Sequence, residues 1–144
     1  MTQRPLFSFQ AFGHPNIAAT HPTTLELTTE SHLTSRGDCI VGVRATCRPS
    51  AFPSSIRQAM STELGRAVLR IRAAGQSFEV HGHGSPSLTF QDSREMVVRK
   101  SRFPSHRTIM VNADKAAKDI PREMLRLLRD PEQRLEIEIE LAQR

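Results

Sequence analysis

Nine consecutive residues, Arg99-Lys100-Ser101-Arg102-Phe103-Pro104-Ser105-His106-Arg107, carry four permanent cations and a titratable imidazole. So many like charges repel one another unless an anion or carboxylates lie among them. Guanidinium forks match phosphate bidentately, and the Ser101 hydroxyl adds a donor. Asp114 and Lys115 follow closely behind. The chemistry on offer is recognition of a phosphorylated or otherwise anionic ligand, with a solvated loop paired to Glu and Asp as the plain structural alternative.

A second group is Gly13-His14-Pro15-Asn16-Ile17-Ala18-Ala19-Thr20-His21-Pro22-Thr23-Thr24. Its two His-Pro steps cannot be turns of one helix, because each proline pushes the preceding histidine into extended backbone. Both imidazoles therefore belong to loops or turns, where they either satisfy local backbone groups or serve a site with Asn16, Thr23 and Asp38. A third group, Gly75 to His83, ends in His81-Gly82-His83. On a strand the two rings share a face about 6–7 Å apart, workable for two ligands of one metal. The spacing resembles the opening half of the cupin metal motif, but Ser87 and Leu88 stand where the following glutamate is needed. No Walker loop, Gly-x-Ser-x-Gly elbow or His-Glu-x-x-His helix occurs. Ser101, His106 and Asp114 lack the spacing that would support a catalytic triad.

Period-two alternation dominates the elements that must hold these groups. Strands are predicted at Leu6 to Phe12, Thr24 to Thr29, Cys39 to Arg44, Val68 to Ala73, Ser77 to His81, Ser87 to Phe90, Met96 to Ser101 and Arg107 to Val111. A final strand places Leu135, Ile137, Ile139 and Leu141 inward and Glu136, Glu138 and Glu140 in water. Arg36-Gly37-Asp38 reads as a hairpin turn between the second and third strands, and Ala74-Gly75 as another. If Val98 points inward, Lys100 shares its face and must be paired or line a cavity. Helices are predicted from Ser54 or Ser55 to Ala67, with Ile56, Met60 and Leu64 inward, from Asp114 through Asp119, and from Pro121 to Asp130. No repeat, linker or low-complexity tract stands out. The expected fold is mainly β, a single domain over residues 1–144, a sandwich or barrel with helical insertions.

Composition bounds the function. The chain has 144 residues, 38% hydrophobic and 24% charged, which excludes wholesale disorder. No apolar run is long enough to span a bilayer, and polar Gln3, Arg4, Ser8 and Gln10 interrupt the start where a signal peptide would be apolar. A cytoplasmic protein without membrane attachment is expected. The net charge of +5 is concentrated in residues 36–107, where twelve cations face five anions. Such a field draws anions from nucleotides to RNA without specifying chemistry. Cys39 and Cys47 make no zinc-ribbon spacing, and Cys39 is expected to be a buried free thiol. With no Trp and no Tyr, only Phe103 could stack bases among the cations, so an RNA reader here would rely on backbone charge.

Gly13-His14-Pro15-Asn16-Ile17, Ala19-Thr20-His21, Thr23-Thr24, Leu33-Thr34, Gly37 to Val43, Gly82-His83-Gly84, Arg99-Lys100-Ser101, Arg107-Thr108 and Ala113 to Ala117 together resemble an archaeal family called domain of unknown function 371. The resemblance runs from about Phe9 to the end. It implies a single β-sandwich domain of jelly-roll-like shape in an archaeal cytoplasm and brings no assigned activity or catalytic residues. The reading taken forward is a β-sandwich with two short helical insertions that binds a phosphorylated ligand, nucleotide or RNA. Its ligand set is His14, Asn16, His21, Thr23, Asp38, Arg99, Lys100, Ser101, Arg107, Asp114 and Lys115. The alternatives are a metal-dependent or acid-base enzyme using His14, His21 and Asp38, with His81 and His83 as candidate metal ligands, or an adaptor subunit. Cofactor and oligomeric state are left open.

Overall fold

The computed structural model describes residues 6–142. The polar positions Gln3 and Arg4 lie outside the described residues. Eight strands run in chain order: β1 Leu6–Phe12, β2 Thr24–Thr28, β3 Ile40–Gly42, β4 Arg66–Ala73, β5 Gln76–His83, β6 Glu95–Arg99, β7 Thr108–Met110 and β8 Arg134–Leu141. Helix α1, Ser54–Met60, lies between β3 and β4, and α2, Arg122–Leu128, lies between β7 and β8. Each is preceded by a short 3-10 turn, Pro49–Ala51 and Ala117–Asp119. The strands form two four-stranded sheets, ordered β1-β8-β4-β5 and β3-β2-β6-β7. Isolated bridges Phe12 to Val43 and His83 to Val111 join the sheets at both seams.

Alternation explains the inner faces. Leu25 and Leu27 of β2, Met96 and Val98 of β6, Leu69 and Ile71 of β4, and Ile137 and Ile139 of β8 belong to one buried cluster. Ile56 and Met60 of α1 and Met124 and Leu128 of α2 complete it. Burying each such side chain contributes about 1.5–3 kcal/mol. Outside the first sheet, the glutamates of β8 are not simply solvated: Arg70 Nε lies 2.6 Å from Glu79 and its Nη1 2.7 Å from Glu140, while Arg72 Nε lies 3.1 Å from Glu138.

The two halves of the chain repeat one another. β4 pairs with β5 from Arg66–His83 to Ala73–Gln76, and β8 pairs with β1 from Arg134–Phe12 to Glu140–Leu6. Leu25 faces Val98 as Leu27 faces Met96, and Leu69 faces Ile139 as Ile71 faces Ile137. Exchanging the halves maps these registers onto themselves. Matching left-handed residues recur at Ala19 and Phe90 (φ 51° and 54°) and at Arg44 and Asn112 (52° and 50°). Gly13 and Gly84 each follow the first strand of a half, where a Cβ would strike carbonyls at the end of α2 or α1. The repeat escapes a reading of the sequence because a backbone conformation is shared by unlike side chains, and Val43/Val111, Ala45/Ala113 and Pro53/Pro121 are too sparse to reveal it.

Several sequence expectations need correction. β3 runs parallel to β2, not as its hairpin partner, because residues 29–39 carry the chain back before β3 begins; β7 runs parallel to β6 in the same way. A jelly roll is antiparallel throughout, so these two pairs depart from that outline. Helix α1 stops at Met60; Leu64 is exposed and Ala67 already belongs to β4. Residues 87–90 bury Leu88 and Phe90 without forming a strand. Asp114 caps no helix: its Oδ1 accepts the His81 N–H at 2.9 Å.

Candidate functional site

The outer face of the sheet β3-β2-β6-β7 is where polar chemistry collects. Strand alternation turns Thr24, Glu26 and Thr28 of β2 and Glu95, Val97 and Arg99 of β6 away from the core. An outer face is ordinarily wet, yet Thr24, Glu26, Thr28, Val97 and Thr108 are all buried. Cys39, ahead of β3, and Arg107, ahead of β7, reach over this face. Cys39 and Arg107 occupy equivalent places: the carbonyl of one accepts the Glu26 N–H and the carbonyl of the other the Val97 N–H, each near 2.8–2.9 Å.

Arg107 Nη1 donates to Glu95 Oε1 at 2.6 Å and lies 3.8 Å from Glu26 Oε1. The Glu26 side chain is only 6% exposed. Burial, then hydrogen bonding to Glu95 and the charge of Glu95, push its carboxyl up to about 7, against the opposing pull of Arg107. The Cys39 thiol donates to Glu26 Oε1 at 3.6 Å. Burial and Glu26 push that thiol up to about 12, so it stays protonated and is a poor nucleophile.

Arg99 differs from Arg107. Its Nε donates to Thr108 Oγ1 at 3.0 Å and its Nη2 to Ser105 Oγ at 3.1 Å, while the guanidinium lies 5.2 Å from the Phe103 ring centre. Among the described residues no carboxylate lies in ion-pair contact with it. Burial, then repulsion by Arg107, lower its basicity, although it remains a cation. Lys100 and Arg102 are exposed beside it. Strand β6 ends at Arg99, so Lys100 leaves the alternation and turns outward instead of sharing the inward face of Val98.

The expected site residues separate into neighbourhoods. The Lys100 N–H donates to the Thr23 carbonyl, the Thr20 and His21 N–H groups to the Asp38 carbonyl, and the Lys118 N–H to the His21 carbonyl. His21, Thr23, Asp38, Arg99, Lys100 and Arg107 thus belong to segments bonded to one another. Ser101 is held nearby, its carbonyl accepting the Asn112 N–H. His14 and Asn16 are tied elsewhere, to the Leu128 and Leu33 carbonyls. Asp114 and Lys115 line an open groove of about 660 Å³ with Phe78, Glu79 and Asp119. Lys115 Nζ donates there to the Glu79 carbonyl at 2.9 Å.

The histidines have backbone tasks. His21 Nδ1 accepts the N–H groups of Thr23 and Thr24, and Asp92 Oδ2, at the equivalent point of the other half, accepts those of Arg94 and Glu95. His14 Nδ1 accepts from Asn16 as Ser85 Oγ accepts from Ser87. Only Nε2 of either ring is left to a ligand. His81 and His83 are exposed, and no group of three or more His, Cys, Asp or Glu suited to a metal occurs among the described residues. Sequence reasoning missed Glu26, Glu95, Cys39, Ser105 and Thr108. Thr-Leu-Glu-Leu-Thr reads as an ordinary wet face, and only the crowding of Arg99 and Arg107 hinted that carboxylates were near.

Fold and site together define a mainly β, internally duplicated protein whose dyad carries a buried carboxyl, Glu26, and a half-buried one, Glu95, beside two guanidinium groups. The chain belongs to the family described as domain of unknown function DUF371, whose profile matches residues 9–142. An uncharacterised protein of the archaeon Methanocaldococcus jannaschii is 36% identical over 124 residues, covering 86% of this chain and 91% of that protein.

Proposed function

We propose that this chain is a single-domain protein that binds phosphate groups of an anionic ligand, a nucleotide or RNA, at Arg99 and the cations around it. The observation that carries this reading is the company Arg99 keeps. Its donors reach two neutral hydroxyls, which orient the fork without neutralising it. Lys100 and Arg102 stand beside it, and Lys118 is on a segment bonded to His21. Lys100, Arg102 and Phe103 are all exposed, an arrangement better suited to a phosphate backbone than to an enclosed base. An acid-base role finds support only in Glu26, whose carboxyl holds a proton near neutrality but is nearly inaccessible.

We also read the two sheets as a sandwich closed at both seams by the Phe12–Val43 and His83–Val111 bridges, supported by the single cluster their inner rows share. A cytoplasmic setting agrees with the free Cys39 and Cys47, and no helix among the described residues is long and apolar enough to cross a membrane.

The absence of Trp and Tyr gives a direct test, because the protein's own near-ultraviolet absorbance is very low. Protein purified at low salt should carry base absorbance. Loss of that band on a high-salt wash identifies nucleic acid, and loss only on denaturation identifies a held nucleotide. A clean spectrum, together with no binding of added oligoribonucleotide or nucleoside triphosphate, overturns the reading.

A further inference from the structure

Among the described residues, Glu26 is the carboxyl that strand geometry places under this cationic face and shields from water. We infer that anion binding at Arg99 is proton-linked through Glu26: the site is open when this carboxyl is neutral and closes when it ionises. The inference rests on the phosphate-binding reading and adds its regulation.

Charge counting carries it. With Glu26 neutral, Arg107 is paired with Glu95 and, among the described residues, Arg99 has no carboxylate against it, leaving the positive charge of Arg99 for an incoming phosphate. Ionisation of Glu26, which lies diagonally across the β2–β6 pair from Arg99, offsets that charge. A second carboxylate then lies 3.8 Å from Arg107 Nη1, drawing that guanidinium inward. Nearness of a charge in a poorly solvated place amplifies both effects. By reciprocity, a bound phosphate stabilises the neutral carboxyl, so binding takes up a proton.

The groups that face Glu26 come from several elements. β6 supplies Glu95 and Arg99, the segment before β3 supplies Cys39, on which the Asp38 charge acts in turn, and the segment before β7 supplies Arg107. His106 Nε2 stands 3.6 Å from Asp92, whose charge acts on Arg107. Cys39 does not ionise at neutral pH. His106 is the imidazole on the segment that carries Arg107, which makes it the control for this assignment.

The test is fluorescence anisotropy of a labelled single-stranded oligoribonucleotide at fixed ionic strength, from about pH 5.5 to about pH 8.5. Wild-type affinity should fall through neutrality, by no more than about tenfold per pH unit for one proton, and then level off. Glu26→Gln should bind as the acid form does and lose this step, while His106→Gln should keep it. Calorimetry of the unmodified protein in two buffers of different ionisation enthalpy should show proton uptake near neutral pH, a readout independent of any variant's folding. Binding without a pH step, or a step retained in Glu26→Gln, overturns the inference alone. No binding at any pH overturns it together with the phosphate reading.

Discussion

Arg107 stands in the second half of the chain where Cys39 stands in the first, each presenting its carbonyl to the neighbouring strand and its side chain to Glu26. The duplicated backbone therefore brings unlike side chains to one spot on the dyad. A neutral thiol from one half and a permanent cation from the other flank the same buried carboxyl. Duplication supplies the frame, and divergence supplies the polarity of the site.

Glu26 makes stability depend on pH. Its folded carboxyl stands at about 7 against an ordinary 4.5, so the unfolded chain ionises first as pH rises. Its contribution is therefore most favourable below about 4.5, declines between 4.5 and 7, and is flat above; the loss is about 3 kcal/mol. Urea unfolding across this window should show that decline in wild type and its absence in Glu26→Gln, which should be the more stable protein in mild alkali.

The equivalence of His21 and Asp92 gives a second prediction. Removing the ring acceptor in His21→Ala leaves two strand-start N–H groups without their partner and should cost roughly 1–2 kcal/mol. His21→Asp copies the residue used in the other half and should recover most of that loss. Denaturant midpoints of the two variants decide it.

The turn between β4 and β5 holds Ala74 at φ 48° and Gly75 at φ 84°. Positive φ at both central residues is the geometry that favours Asn-Gly. Ala74→Asn should raise stability by about 0.5–1 kcal/mol, and Gly75→Ala should lower it, although no atom obstructs a Cβ there. Thermal unfolding of both variants measures the two signs.

Cys39 should resist alkylation. Burial and Glu26 together keep its thiol protonated far above neutral pH. Iodoacetamide labelling of the native protein followed by peptide mass analysis should find Cys39 orders of magnitude slower than in urea. Labelling at equal rates in both states would contradict the described environment.

Most strand positions were legible because apolar alternation is local: β8 follows it residue by residue from Leu135 to Leu141, β1 only weakly, with Leu6 and Phe12 apolar on the outer row. Pairing was not, because the parallel partnership of β2 with β3 depends on where residues 29–39 travel, which no short pattern encodes. Arg99 and Arg107 were legible as a charge conflict, whereas their counterparts were hidden. Glu26 sits in a strand that would be half wet in most sheets, and it is buried here only because segments distant in sequence cover it. His14 and His21 drew notice as ring chemistry but serve as turn acceptors, a task that becomes visible only beside Ser85 and Asp92.

Phosphate recognition at Arg99 is measured most directly by a salt titration. Affinity for a single-stranded oligoribonucleotide should fall linearly on a logarithmic salt axis, and Lys100→Gln with Arg102→Gln should weaken binding and reduce the slope by about 0.7 for each phosphate no longer neutralised. Arg99→Gln should weaken binding further. Affinity and slope unchanged in all three substitutions would contradict the site.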